Sequence, residues 1–280
     1  GDLIWAAGDS QARGFLIGAT AGRTTLNGEG LQHQDGHSLL LASTVPNCVA
    51  YDPAYAYELT VIIQDGLRRM FELKENKFYY ITAMNENYQQ PVMPEGVADG
   101  IIKGMYRVRA SASETSNKVQ LMGAGTILRE VLAAAEILEQ EYGVAADVWS
   151  MTSINELQRE GKAAQRWNLL HPEAEPKVPW VTACLADTEG PVVAATDYIK
   201  AHTDQIREFV PGRFSVLGTD GYGRSDTRAR LREFFEVSRE FVVLSALRAL
   251  ADEGRLPMQE VATAMAKLGI HEDKVDPFSV

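Results

Sequence analysis

The stretch from Asn47 to Asn85 limits the fold most, because it changes periodicity twice. "NCVAYDP" is a short apolar run halted by Asp52-Pro53, and it reads as a strand. "AYAYELTVIIQDGLRRMF" then sets Leu59, Ile62, Ile63, Leu67 and Met70 at helical spacing. "FYYITAMN" is aromatic and β-branched, a second strand. Strand, helix, strand in that order argues for parallel α/β packing.

"NENYQQPVMPEGVADG" interrupts this rhythm with prolines, glycines and a polar cluster, the marks of a linker. The rhythm then restarts, so two units are expected: residues 1–95, a linker over 96–105, and residues 106–280. In the second, "KVQLMG", "ADVWSM", "WVTACLAD", "PVVAAT" and "RFSVLG" read as strands. "TILREVLAAAEILEQEYG" reads as a helix stopped by Gly143, and "DYIKAHTDQIREFV" as a helix ended by Pro211. "SDTRARLREFFE" reads as a helix capped by Ser225 or Asp226, and two more are expected over 239–252 and 257–267, the last with Pro257 at its first position. In the first unit, Leu3, Ile4, Ala7, Phe15 and Leu16 suggest an opening helix without a cap, and "TTL" (24–26) a short buried strand. With Gly1 in place of Met, the chain reads as starting partway through a domain of a longer protein.

Charge and apolar content exclude whole classes of function. A net charge of −11 repels phosphate backbones, which argues against nucleic acid as a partner. No apolar run is long enough to span a bilayer, so no membrane association is expected. Cys48 and Cys184 lie far apart in apolar contexts and read as two buried free thiols, which fits a reducing, cytoplasmic setting.

"NGEGLQHQDGHS" (27–38) concentrates chemistry at the end of an expected strand, where α/β proteins place ligands. His33 is a candidate acid, base or hydrogen-bond donor, and Asp35 and Glu29 are placed to orient it or to bind a substrate hydroxyl. His33 and His37 have the spacing of a helical metal pair, but Gly36 lies between them and no further ligand pattern supports a metal. A turn with capping histidines remains an open alternative. Ser38 beside His37 cannot build a nucleophile–base pair.

Elsewhere the motifs are weaker. "MGAGTIL" (122–128) has Gly123 and Gly125 but Leu128 at the third glycine position, and Asp147, at the acidic position of a dinucleotide fingerprint, falls just before a strand. A structural strand-to-helix turn is expected there. In "LGTDGYGRSDTR" (217–228), Asp220-Gly221 suits a turn, and Arg224 with Asp226 suits an anion site or an ion pair across the two units. Tyr51, Tyr55 and Tyr57 near Glu58 suit a pocket wall, a subunit contact or internal packing equally. His171, His202 and His271 read as surface or capping histidines.

Together, "GDSQARGFLIGATAGRTTLNGEGLQHQDGHS", "PNCVAYDPAYAYE", "NENYQQPVMPEG", "RWNLLHP" and "LGTDGYGRSDTR" resemble the homodimeric bacterial pyruvate dehydrogenase decarboxylating component along essentially the whole chain. The resemblance implies the latter half of a thiamine-diphosphate pyrimidine-binding domain, followed by a transketolase-like C-terminal α/β domain. It implies decarboxylation of pyruvate and reductive acetylation of a lipoyl group, a homodimer, and docking to a dihydrolipoyl acetyltransferase core. Thiamine diphosphate is the implied cofactor, with Mg²⁺, and it supplies the electron sink while protein supplies position and charge. By position His33 is the loop histidine set over the reactive carbon. Asp35 matches a substrate-side acid of transketolase-like relatives, and His37 is a weaker match. The family's Gly-Asp-Gly with its following Asn, which holds Mg²⁺ and diphosphate, is not found: Gly8-Asp9 and Asp220-Gly221 lack its context. The cofactor-activating glutamate would precede this segment. No cofactor-binding or metal residue is therefore assigned here, and the segment alone is expected to be inactive. The alternative is a fragment that serves dimerisation or docking only.

Overall fold

The computed structural model describes every residue except Thr20. Two sheets organise the described residues. In the first, β1 (Phe15–Ala19), β2 (Cys48–Tyr51) and β3 (Phe78–Ala83) lie in the order β1-β3-β2, all parallel. Around it stand α1 (Asp2–Asp9), α2 (Ser38–Ser43) and α3 (Ala56–Leu67), the last continuing through a π-helical turn over Arg68–Glu72. All residues of β2 are buried, as befits a parallel strand covered on both faces.

The second sheet has the order β4-β6-β5-β7-β8, from β4 (Met105–Arg109), β5 (Lys118–Gly123), β6 (Ala145–Met151), β7 (Val192–Ala195) and β8 (Phe214–Leu217). Only β4 runs antiparallel, against β6. α4 (Ala98–Lys103) precedes these strands, and between and after them come α5 (Leu128–Tyr142), α6 (Ile154–Leu170), α7 (Trp180–Leu185), α8 (Lys200–Thr203), α9 (Arg228–Phe234), α10 (Arg239–Asp252) and α11 (Met258–Lys267). One face of the sheet packs under α5 and α10 through Val131, Leu138, Val243 and Leu247; the other holds Met122, Trp149, Leu157 and Phe209.

Several local expectations are corrected. Phe15 and Leu16 belong to β1, not to an opening helix. "TTL" is a buried turn, because the Thr24 and Thr25 amides bond a side chain of the second unit instead of a neighbouring strand. "WVTACLAD" contains helix α7: Val181 and Leu185, four apart, share its buried face. Only Lys200–Thr203 of the expected 197–210 helix is α-helical, and a 3₁₀ segment follows over Asp204–Phe209. Thr227, rather than Ser225 or Asp226, caps α9. Pro257 stands just before α11 as its cap. Asp147 lies inside β6, not before it. Residues 98–103, within the expected linker, form α4.

Strand order in the second sheet turns back between β5 and β7, which is where doubly wound sheets open a ligand crevice. Here that crevice is filled by the first unit. Asp197, just past β7, accepts hydrogen bonds from the amides of Thr24 (2.8 Å) and Thr25 (3.1 Å) and from their hydroxyls (2.7 and 2.6 Å). Gly22 approaches the same carboxylate so closely that a Cβ there would lie 2.3 Å from Oδ2. The Thr25 and Thr126 hydroxyls lie 2.6 Å apart, and the Gly125 amide donates to the Asp52 carbonyl at 3.3 Å. "MGAGTIL" is thus a strand-to-helix turn occupied by protein.

Further polar bonds join the units. α6 sends Ser153 to the Ala50 carbonyl (2.6 Å), Asn155 to that of Leu39 (3.0 Å) and Arg159 to that of Val45 (2.7 Å). Glu58, fully buried, accepts from the amides of Ala54 and Tyr55 and from the hydroxyls of Tyr106 and Ser150. The Tyr57 and Tyr106 hydroxyls lie 2.6 Å apart, and Tyr55 packs into the core around α5 and α10. The tyrosine cluster is therefore internal packing between units.

Candidate active-site cleft

The loop over 27–37 carries no regular structure, so its shape depends on the groups it meets. Arg23 stands at its root, only 5% exposed. Its Nη1 donates to the carbonyls of Thr219 (2.6 Å) and Gly221 across the unit boundary. Gly36 lies flat on this guanidinium, and a Cβ there would sit 2.4 Å from Cζ. Burial lowers the Arg23 pKa, while Asp35, Asp197 and Asp220 oppose that shift.

Asp35 holds the far end of the loop. Its Oδ1 accepts from the amides of His37 and Ser38, both at 3.0 Å, and its Oδ2 from the Ser38 hydroxyl. These are capping bonds at the start of α2, which satisfy amide donors otherwise left unpaired at a helix start. The Tyr80 hydroxyl donates to Ser38 Oγ at 2.9 Å and ties the cap to β3.

Between these anchors lies an open cleft of about 590 Å³. His33, Asp35 and His37 line one side with Arg23; Ile199, Tyr222 and Phe278 of the second unit line the other. The three predicted residues therefore share one cleft. His33 is exposed, and its amide donates to the Gly30 carbonyl at 3.3 Å. His37 is exposed at the rim, its Nδ1 4.0 Å from Asp35 Oδ1. Glu29 is exposed and is not part of the cleft wall.

The remaining candidates lie elsewhere. The Arg224 guanidinium sits 4.3 Å from the centre of the Phe234 ring and, among the described residues, makes no ion pair across the units. His171 is exposed and stacks on Trp167 at 4.4 Å, and His271 is exposed near the chain end. His202 departs from expectation: it is 2% exposed, and burial pushes its pKa down to about 3. Cys48 is buried, Cys184 only half-buried, and both are free. Arg23, Gln34 and Asp197 carry much of the architecture around the cleft yet were not singled out from sequence. The available signal was an Arg-Thr-Thr run framed by Gly22 and Gly28, too common a pattern to single out.

Among the described residues no group of three or more His, Cys, Asp and Glu could hold a metal ion. The Asp35 oxygens already accept three bonds. The residues present therefore do not make a seat for Mg²⁺. Among the described residues no helix is long and apolar enough to cross a membrane.

Comparison with known proteins places the chain. Residues 1–91 match the model of the pyruvate dehydrogenase E1 component middle domain, and residues 104–238 that of the transketolase-like C-terminal domain. The pyruvate dehydrogenase E1 component of Pseudomonas aeruginosa is 60% identical over 279 residues, covering 99% of this chain and 32% of that protein. Those of Cupriavidus necator and Escherichia coli K12 are each 55% identical, covering 100% and 99% of this chain and 31% of their own lengths. The chain thus spans about a third of the curated relatives it matches. Among solved structures, transketolase from Campylobacter jejuni superposes with a TM-score of 0.62 at 20% identity, covering 88% of this chain and 33% of that one. Transketolase from Leishmania mexicana gives 0.64 at 17%, covering 90% and 32%. These two likenesses speak to fold: the mixed α/β architecture is transketolase-like. On the strength of the sequence matches, the chain is, along essentially its whole length, a close homologue of about a third of the pyruvate dehydrogenase E1 component.

Proposed function

We propose that this chain forms one wall of the active site in a thiamine-diphosphate-dependent enzyme that decarboxylates pyruvate and passes the acetyl group to a lipoyl carrier. The observation that carries the reading is His33: an exposed imidazole in an open cleft, on a loop anchored at both ends, in a chain 60% identical to a named E1 component. Thiamine diphosphate and Mg²⁺ are assigned to portions of the enzyme beyond this third, and the cofactor would supply the electron sink. His33 donates an N–H to the substrate's carbonyl oxygen as negative charge grows there, which lowers the barrier if the donor is already in place. Asp35 acts through the start of α2, keeping the loop's far end fixed. His37 stands at the rim, placed to meet the substrate's outer oxygens. Ile199, Tyr222 and Phe278 give the opposite wall its apolar character, suited to a small acid with a methyl group.

We further propose that the enzyme works in the cytoplasm as a homodimer docked to a dihydrolipoyl acetyltransferase core, with the 96–105 segment dividing its two units. The test is the full-length enzyme with His33→Ala. Pyruvate-dependent reduction of an artificial acceptor should fall by about 10²-fold or more, the loss expected for one well-placed donor to a developing charge. Turnover within a factor of two of the parent would end the proposal for His33.

A further inference from the structure

We propose that Gln34 is a positioning residue, pinned by the second unit, that sets where His33 stands in the cleft; this rests on the reading of His33 given above. Gln34 follows His33 directly, yet the two side chains have opposite fates. His33 is exposed, whereas Gln34 is 4% exposed. Its amide is used at both ends. Nε2 donates to the Leu26 carbonyl at 2.7 Å, and Oε1 accepts from the Arg224 amide at 2.7 Å. The first bond folds the loop back on its own root. The second crosses to a turn that is 190 residues away along the chain.

This matters because the loop has so little structure of its own. Three crossings fix it to the second unit: the Gly28 amide to the Asp226 carbonyl (3.1 Å), the Arg224 amide to Gln34, and the Ile199 amide to the Gly36 carbonyl (2.9 Å). The outer two are backbone bonds. The middle one uses a side chain, and it lies beside His33. Gly223 closes the pin from the other side: a Cβ there would lie 2.8 Å from Gln34 Cβ, 2.9 Å from its Oε1 and 3.1 Å from the Leu31 carbonyl. Gly223 is kept free of a side chain by the glutamine beneath it, so through this pin the second unit acts on His33 indirectly, besides lining the opposite wall.

The experiment is a double-mutant cycle in the full-length enzyme. Gln34→Ala should lower kcat for pyruvate by between about tenfold and a hundredfold with KM little changed, as expected when a group active only in the transition state is displaced by about an ångström. Gln34→Glu keeps an acceptor for the Arg224 amide but loses the donor to the Leu26 carbonyl, so it should recover only part of that loss. Gly223→Ala leaves every loop side chain in place but presses on Gln34, and it should reproduce the kcat effect. In a His33→Ala background, Gln34→Ala should cost nothing more, because the partner it positions is gone. Equal losses with and without His33, or full kcat in both Gln34→Ala and Gly223→Ala, would overturn the pin. Should Gln34→Ala lose its cooperative thermal transition, Gly223→Ala with a normal transition decides the matter. A His33→Ala enzyme as fast as the parent would remove the histidine's role itself, a result distinct from failure of the pin alone.

Discussion

Asp52 sits fully inside the protein, at the boundary of the two units. Its Oδ1 accepts from the Thr82 hydroxyl at 2.6 Å, and its Oδ2 has no partner among the described residues. Burial pushes its pKa from 3.8 up to about 7, with Asp197, Glu58 and Asp35 adding to the effect and the Thr82 bond opposing it. The folded protein therefore holds this proton more tightly than the unfolded chain does. The associated stability is fully present below about pH 4 and is lost as pH rises through about 7. At about 1.36 kcal/mol per pH unit, that interval is worth on the order of 4 kcal/mol. Asp52→Asn, uncharged at every pH, should match the parent near pH 4 and become progressively more stable than it towards pH 8. Urea unfolding across that range measures the difference. A gap that does not change with pH would show that Asp52 ionises freely in the native state.

Helix α6 shows how a segment can hide in a sequence. Its buried stripe is Ile154, Leu157, Gly161 and Ala164, a sound helical spacing but thin in large apolar residues. The opposite signal, a polar and charged face, usually means solvent. Here Asn155 and Arg159 instead bond carbonyls of the first unit, and the Ser153 cap does so as well. Sequence periodicity reports which face avoids water and cannot report a polar face reserved for another part of the chain. By contrast β2, β3, α3 and α5 were legible, because each is bounded by a breaker and has a dense apolar pattern. "WVTACLAD" was misread since a short apolar run carries no period long enough to separate strand from helix. The histidine cleft was legible as residue types in a glycine-rich loop. Its anchors Arg23 and Gln34 were not, since their partners lie about 190 residues further on. Gly161 offers a test of the packing. Helix propensity alone favours alanine by about 1 kcal/mol. A Cβ at Gly161, however, would sit 2.5 Å from the Phe209 ring, which is 4% exposed and has no room to retreat. Overpacking of this kind costs about 1–3 kcal/mol, so Gly161→Ala should lower the denaturation midpoint. A raised midpoint would mean that Phe209 repacks freely.

At the scale of the molecule, the two units are joined by buried polar contacts as well as by shared apolar clusters. Asp197 alone accepts four hydrogen bonds from Thr24 and Thr25. Burial raises its pKa, and those threonine bonds work against the rise. Asp197→Ala would strand buried amides and hydroxyls, at about 1–3 kcal/mol for each group left unpaired. Calorimetry of the parent should show one transition. The Asp197→Ala protein should unfold in two steps, the first unit melting earlier. A single, unshifted peak would assign the cohesion of the molecule to other contacts.

The plug in the second sheet has an engineering consequence. Anyone excising residues 104–280 as a stand-alone scaffold would uncover a notch walled by Gly125, Thr126 and Asp197, with a buried carboxylate suddenly lacking its donors. Water or a cation would have to flood that hollow, or the strand ends would sag shut around it. A usable excised scaffold would need a short graft that carries its own pair of adjacent hydroxyl residues.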